Sequence, residues 1–160
     1  FESAASLDDP ANRRTFERCT LDFGERVTHE GVYRMHKDLL RLRRETPAFR
    51  AQRRGVVDGA VLSADAFVLR FILRGDADRM LIVNLGRDVN RDSFAEPLMA
   101  PPRGFEWAVE WSTEDPGYGG QGLPNLWPED KWHIPGESAV VLKPVSEQRV
   151  RAAKKKRRTA

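Results

Sequence analysis

The stretch AFVLRFILRGDADRMLIVNL, Ala66 to Leu85, decides how this chain is read. Phe67, Leu69, Phe71 and Leu73 recur at every second position, which places them on one face of a β-strand. Val68, Arg70, Ile72 and Arg74 fall on the other face, half apolar and half able to reach water. Met80 to Leu85 is an almost unbroken apolar run, the pattern of a strand covered on both sides. Between the two, RGDADR is short, charged and glycine-bearing, which suits a hairpin connection. Burying the four odd-numbered residues would contribute roughly 1.5–3 kcal/mol each. They are the expected inward face of the core.

Downstream the strand signals continue. GVVDGAVLS (55–63) is a candidate interrupted by Gly59, and FAEPLM (94–99) reads as an edge strand because Pro97 cannot donate to a ladder. FEWAVEW (105–111) sets Phe105, Trp107, Val109 and Trp111 against Glu106, Ala108 and Glu110. SAVVLKP (138–144) is expected to close at Pro144. Short strands separated by turn residues imply an antiparallel β-sandwich. Between the last two strands, residues 112–137 are dense in glycine and proline, a long loop of the kind that covers something or carries function. Tyr118, Trp127 and Trp132 are its expected anchors on the sheet.

Upstream the period is helical. From Thr28 to Glu45, Val32, Met35, Leu39 and Leu42 form one stripe, widened by Tyr33 and Leu40. Thr28 is the expected N-cap, Arg41, Arg43 and Arg44 suit the C-terminal dipole, and Pro47 ends the helix. A single helix cannot hide such a stripe, so it must pack on the strands or on a neighbour. Residues 1–20 read as surface loop, and Asp22 with Glu25 as a capping box opening a short turn.

Composition narrows the class. With 40% hydrophobic residues, four Trp and eight Phe, the chain is globular and long enough for one domain or one domain and part of another. No apolar stretch approaches the roughly 20 residues of a membrane span, so no membrane partner is expected. The single cysteine, Cys19, cannot form an internal disulfide, which points to a reducing compartment such as the cytoplasm. The net charge of +3 belongs to the end of the chain. Seven basic residues fall between Arg149 and Arg158, leaving twenty basic against 24 acidic in residues 1–148. That basic end, 147–160, has no aromatic residue for base stacking and reads as a solvated tail; nucleic acid is the weaker reading on electrostatics alone.

Motifs that carry chemistry are few. GYGGQG lacks the following helix start and lysine of a phosphate cradle, so it reads as a tight structural loop. His29 and His36 are seven apart where zinc helices prefer four, and His133 is a loop residue, so no metal or cofactor is expected. Asp8/Asp9, Glu114/Asp115 and Glu129/Asp130 are adjacent pairs in polar loops, whereas glycoside hydrolysis needs two carboxyl groups about 5–10 Å apart at one bond. Trp107 and Trp111 alternate on a strand and read as core. Tyr118 and Trp127 are the candidates for stacking a sugar ring.

Two stretches resemble a known family. TFERCTLDFGERVTHEGVYRMHKDLLRLRRETP, beginning at Thr15, resembles the segment that ends the catalytic barrel of malto-oligosyltrehalose trehalohydrolases, within the α-amylase family of glycoside hydrolases. WSTEDPGYGGQG followed by IPGESAVVLKP resembles the end of their C-terminal β-domain. The likeness spans residues 12 to 145, and the chain departs from it at Cys19-Thr20 and Phe23-Gly24. It implies that residues 1–54 end a (β/α)8 barrel, that 55–146 form the accessory β-sandwich, and that the barrel of the same parent is the partner. Members cleave α-glucosidic bonds with an aspartate nucleophile and a glutamate acid/base on barrel strands. Those strands would precede Phe1, so no catalytic residue is assigned here and the chain alone is expected to be inactive. The alternatives are the C-terminal domain of another amylase-family enzyme, such as a branching enzyme, or a free-standing module binding α-glucan or nucleic acid.

Overall fold

The computed structural model describes residues 9–51 and 55–148. Helices come first: α1 (Arg13–Arg18), α2 (Glu25–Thr28), α3 (Glu30–Glu45) and α4 (Pro47–Arg50). Seven strands follow: β1 (Val57–Val61), β2 (Ala66–Phe71), β3 (Arg79–Asn84), β4 (Val89–Arg91), β5 (Phe105–Ser112), β6 (Trp132–Ile134) and β7 (Ser138–Ser146). Five of them make an antiparallel sheet in the order β1-β2-β3-β7-β5, while β4 and β6 pair separately. The mainly antiparallel β fold preceded by one long helix is therefore what the sequence implied.

The orientation of the core is not. Val68 and Arg70 of β2 are buried, whereas Phe67, Leu69 and Phe71 are only half-buried. Val68 joins Met80, Ile82, Val140, Leu142, Trp107 and Ile134 in the main core, closed over by β4, β6 and Leu126. The alternation holds but with its sign reversed, because the inner face carries a charge, Arg70. Arg70 is tolerated there because both terminal nitrogens of its guanidinium are hydrogen-bonded. One nitrogen donates to Asp78 Oδ2 at 2.9 Å, the other to the carbonyls of Leu98 and Ala100, and the group lies 5.0 Å from the centre of the Trp107 ring. A buried cation persists only when paired and hydrogen-bonded in this way.

The expected β2–β3 hairpin forms, with Phe67 opposite Val83 and Phe71 opposite Arg79. Its turn is tied by Asp78, whose Oδ1 accepts from the backbone N–H groups of Leu73 and Arg74. Strand β5 holds a second surprise. Val109 pairs with Leu142 but Trp111 pairs with Val141, leaving Glu110 as an extra residue in a bulge. A bulge exchanges the faces of all that follows. Trp107 thus points into the main core, where its indole donates to the Met99 carbonyl at 2.9 Å, and Trp111 emerges on the opposite, helix-bearing face. Glu110 itself bonds Arg79 Nε at 2.6 Å.

Other expectations fail locally for identifiable reasons. Residues 94–99 form no strand: Pro97–Met99 is a 3-10 turn capped by Glu96, whose carboxylate accepts from Leu98 N. Strand β7 runs through Pro144 to Ser146. Its pairing with β3 ends at Leu142, and beyond that point only β5 flanks it, where a missing N–H is tolerated. The segment 112–137 is not all loop, since β6 lies in it, paired with the unforeseen β4. Residues 13–18 form a helical turn capped by Asn12, whose side chain accepts from Arg14 N. The Asp22–Glu25 box does not form, because the Asp22 carboxylate accepts from Gly24 N. Thr28 closes α2, and His29 stands at the N-cap of α3 without a side-chain bond. The expected ending before Pro47 holds: Thr46 is extended at ψ 117°. The basic tail beyond Gln148 lies outside the described residues.

Candidate docking face

Helix α3 is seated on the outer face of the large sheet, and the glycine-rich loop fastens it there. Tyr118 donates its hydroxyl to Asp38 Oδ2 at 2.8 Å, and Trp111 Nε1 donates to the same hydroxyl at 3.1 Å. Arg41 holds the other Asp38 oxygen at 2.9 Å. Burial first, then the bond to the Asp38 carboxylate, raises the Tyr118 hydroxyl above its ordinary pKa. Gly31 allows the close approach: a Cβ there would stand 3.0 Å from the Tyr118 carbonyl oxygen. The loop's own glycines serve its shape. Gly119 and Gly122 have φ of 96° and 121°, and a side chain on Gly120 would overlap the Glu114 backbone. The structural reading of GYGGQG is the one this geometry supports.

Between helix and sheet runs an apolar groove of about 370 Å³ lined by Leu39, Leu42, Phe49, Phe71, Leu81 and Trp111. Phe49 meets Phe71 edge-on at 4.7 Å. Beyond it the helical region leaves large apolar side chains in water. Val27 is 82% exposed, Phe16 77%, Leu21 76% and Phe23 66%, and Val32, Tyr33 and Leu40 are also exposed. At 100° per residue, Tyr33 and Leu40 stand half a turn round α3 from Gly31 and Asp38. One side of the helix is thus clamped to the sheet, and the other presents apolar surface outward.

The sequence-derived site candidates are placed as follows. Tyr118 is half-buried with its hydroxyl committed to Asp38 and Trp111. Trp127 is half-buried against the main core and meets Trp132 edge-on at 5.3 Å. The two belong to opposite faces of the large sheet and are not brought together. Glu114 and Asp115 accept from loop N–H groups, those of Gln121 and Gly117. His36 Nδ1 lies 2.8 Å from the Val32 carbonyl in its own helix, and His133 Nδ1 lies 2.8 Å from Asn90 Oδ1. Among the described residues no group of three or more His, Cys, Asp or Glu is placed to hold a metal ion, Cys19 is free and exposed, and no helix is long and apolar enough to cross a membrane. Sequence reasoning missed Asp38 as the partner of Tyr118. The two are 80 positions apart, and Asp38 looked like one more polar residue on a solvated face.

The described residues thus form an antiparallel β-domain with a helix fastened to its outer face. Residues 54–141 match the family described as a domain of unknown function (DUF3459), and the chain belongs to that family of amylase C-terminal domains. A malto-oligosyltrehalose trehalohydrolase of Deinococcus radiodurans is 35% identical over 89 residues, 54% of this chain and 14% of that protein. Among solved structures, a pullulanase from Anoxybacillus sp. LM18-11, complexed with maltotetraose, superposes with a TM-score of 0.51 at 17% identity. That match covers 79% of this chain and 17% of the pullulanase, and it shows the fold alone. The chain thus spans only a small part of either relative.

Proposed function

We propose that this chain is the non-catalytic C-terminal domain of a trehalose-releasing glycoside hydrolase, with a catalytic barrel as the partner of its helical face. In this reading residues 1–54 complete the barrel, 55–146 form the β-domain that supports it, and 147–160 are an appended basic tail. The parent would act in the cytoplasm, cutting the α-1,4 bond next to the terminal trehalose unit of maltooligosyl trehalose. The observation that carries the reading is the run of exposed apolar side chains from Phe16 to Leu40, in a helical segment whose longest helix, α3, is tied on its other side to the β-domain. An apolar surface of this kind on an otherwise charged molecule calls for cover. The likeness to a trehalohydrolase supports the choice of parent.

The reading predicts that the purified 160-residue chain releases no trehalose from maltooligosyl trehalose. It also predicts that the chain binds a hydrophobic dye, and that Phe23→Ser together with Val27→Ser removes much of that binding without lowering the melting temperature. Trehalose release by the isolated chain, or dye binding indifferent to these changes, would refute it.

A further inference from the structure

We infer that the cleft beside Trp132, at the end of the two-stranded sheet, is a binding subsite for a neutral oligosaccharide. The β4–β6 register sets Arg91 directly opposite Trp132, so both side chains leave the same face of the ribbon. The cleft between them and the turn at Pro128 has a volume of about 530 Å³ and is also lined by Asp92, Glu129 and Lys131, within the range of small-ligand sites.

Three features favour a sugar over other small ligands. The first is a rigid aromatic wall. Trp132 is braced edge-on by Phe94 at 5.9 Å and by Trp127 at 5.3 Å, so its ring is held in place before any ligand arrives. The second is a set of uncommitted polar groups. The indole N–H of Trp132, the Arg91 guanidinium and the Glu129 carboxylate have no hydrogen-bond or ion-pair partner among the described residues, whereas Trp107 and Trp111 both spend their N–H groups on protein acceptors. Glu129 and Asp130 hold φ of 52° and 61°, a left-handed pair that folds the turn back beside the ring. The third is balanced charge. Arg91 and Lys131 face Asp92 and Glu129, and Lys131 bridges Asp92 at 3.0 Å. Two cations against two anions give no net attraction for a phosphate or a polycation. Planar donors and acceptors at the edge of an aromatic surface do match a pyranose, which offers an apolar C–H face and a rim of hydroxyls in neighbouring pairs.

The choice of an α-1,4-linked probe rests on the proposed function. The test is titration of the full 160-residue chain with maltotetraose, followed by calorimetry and by the amide signals of residues 89–92 and 127–133. Saturable binding with a dissociation constant of about 1 mM or tighter is expected. Arg91→Ala, an exposed change, and Trp132→Ala should each weaken it about tenfold or more, with Tyr118→Phe leaving it unchanged. Arg91→Ala keeps the test decisive should Trp132→Ala disturb folding. No saturation, or saturation that both variants leave intact, overturns the proposal. Such a failure would not touch the barrel-supporting role, which is judged by dye binding and the absence of trehalose release.

Discussion

The Tyr118 hydroxyl donates to Asp38 Oδ2 at 2.8 Å across 80 positions of sequence, and through it the glycine-rich loop is bonded to helix α3. The same oxygen accepts from Trp111, so one atom joins helix, loop and sheet. Tyr118→Phe keeps the ring and removes that atom. The loss should cost about 1–2 kcal/mol, seen as a lower urea midpoint with an unchanged m-value. It should also speed amide exchange in α3 more than in β3.

Alkaline pH tests the same bond from the other side. The folded-state pKa of Tyr118 lies above the unfolded value of about 10. Between those two values the native state therefore holds more protons than the unfolded state, and stability falls as pH rises. The contribution is complete below about pH 10 and is lost above it. Tyr118→Phe should flatten the decline in melting temperature over that window relative to the parent chain. Tyrosinate absorbance, with Tyr33 alone remaining in the variant, assigns the shifted titration to Tyr118.

Asp78 is only 3% exposed, and it satisfies Arg70 with one oxygen and two hairpin N–H groups with the other. Asp78→Ala strands a buried guanidinium and opens the turn at once. A cost of about 3–5 kcal/mol follows from breaking a buried pair by removing one partner. Arg70→Met should cost less, because it leaves Asp78 bonded to the Leu73 and Arg74 backbone. Equal losses for the two substitutions in urea titrations would contradict this ordering.

Glycines 59 and 120 look alike in sequence and differ in what a methyl group would meet. At Gly59 the nearest atom is the terminal Cδ2 of Leu69 at 2.8 Å, the end of a side chain that can rotate away. At Gly120 it is the Glu114 backbone, which is fixed by Ser112 and by the Gly122 N–H. Gly120→Ala should lower the melting temperature severely and release α3 from the loop, while Gly59→Ala should change stability by less than about 1 kcal/mol.

What the sequence made legible was periodicity, and what it hid was pairing. The helical stripe of 28–45 and the alternation of 66–73 both report real faces. Which face is inner depended on Arg70 finding Asp78, a contact between two charges that no pattern of apolar residues encodes. In β5 the alternation of Phe105, Trp107, Val109 and Trp111 was genuine up to Val109, and then one extra residue, Glu110, turned Trp111 to the other side. Strands β4 and β6 are three residues each, too short for a period to show. Tyr118 and Trp127 stand out in the sequence as loop aromatics. The aromatic residue that does sit in an open polar cleft, Trp132, lies on β6, and only its register with Arg91 reveals the neighbourhood.

Arg74 offers the opposite kind of test, a change that should stabilise. It has φ 79° and ψ 133°, a region that costs a residue with a Cβ and costs glycine little. The strain persists because Asp78 accepts from the Arg74 N–H at 2.6 Å and holds the hairpin closed. The Arg74 side chain is exposed, and it forms no ion pair among the described residues. Arg74→Gly relieves the strain without opening a cavity or stranding a partner. It also adds freedom to the unfolded chain, which offsets part of the gain. The net should be a stabilisation of about 0.5–1 kcal/mol, read as a higher urea midpoint. The double variant with Asp78→Ala should show no such gain, since without that carboxylate the turn is free to relax. A destabilising Arg74→Gly would mean that the arginine side chain, rather than the bond from its backbone to Asp78, shapes the turn.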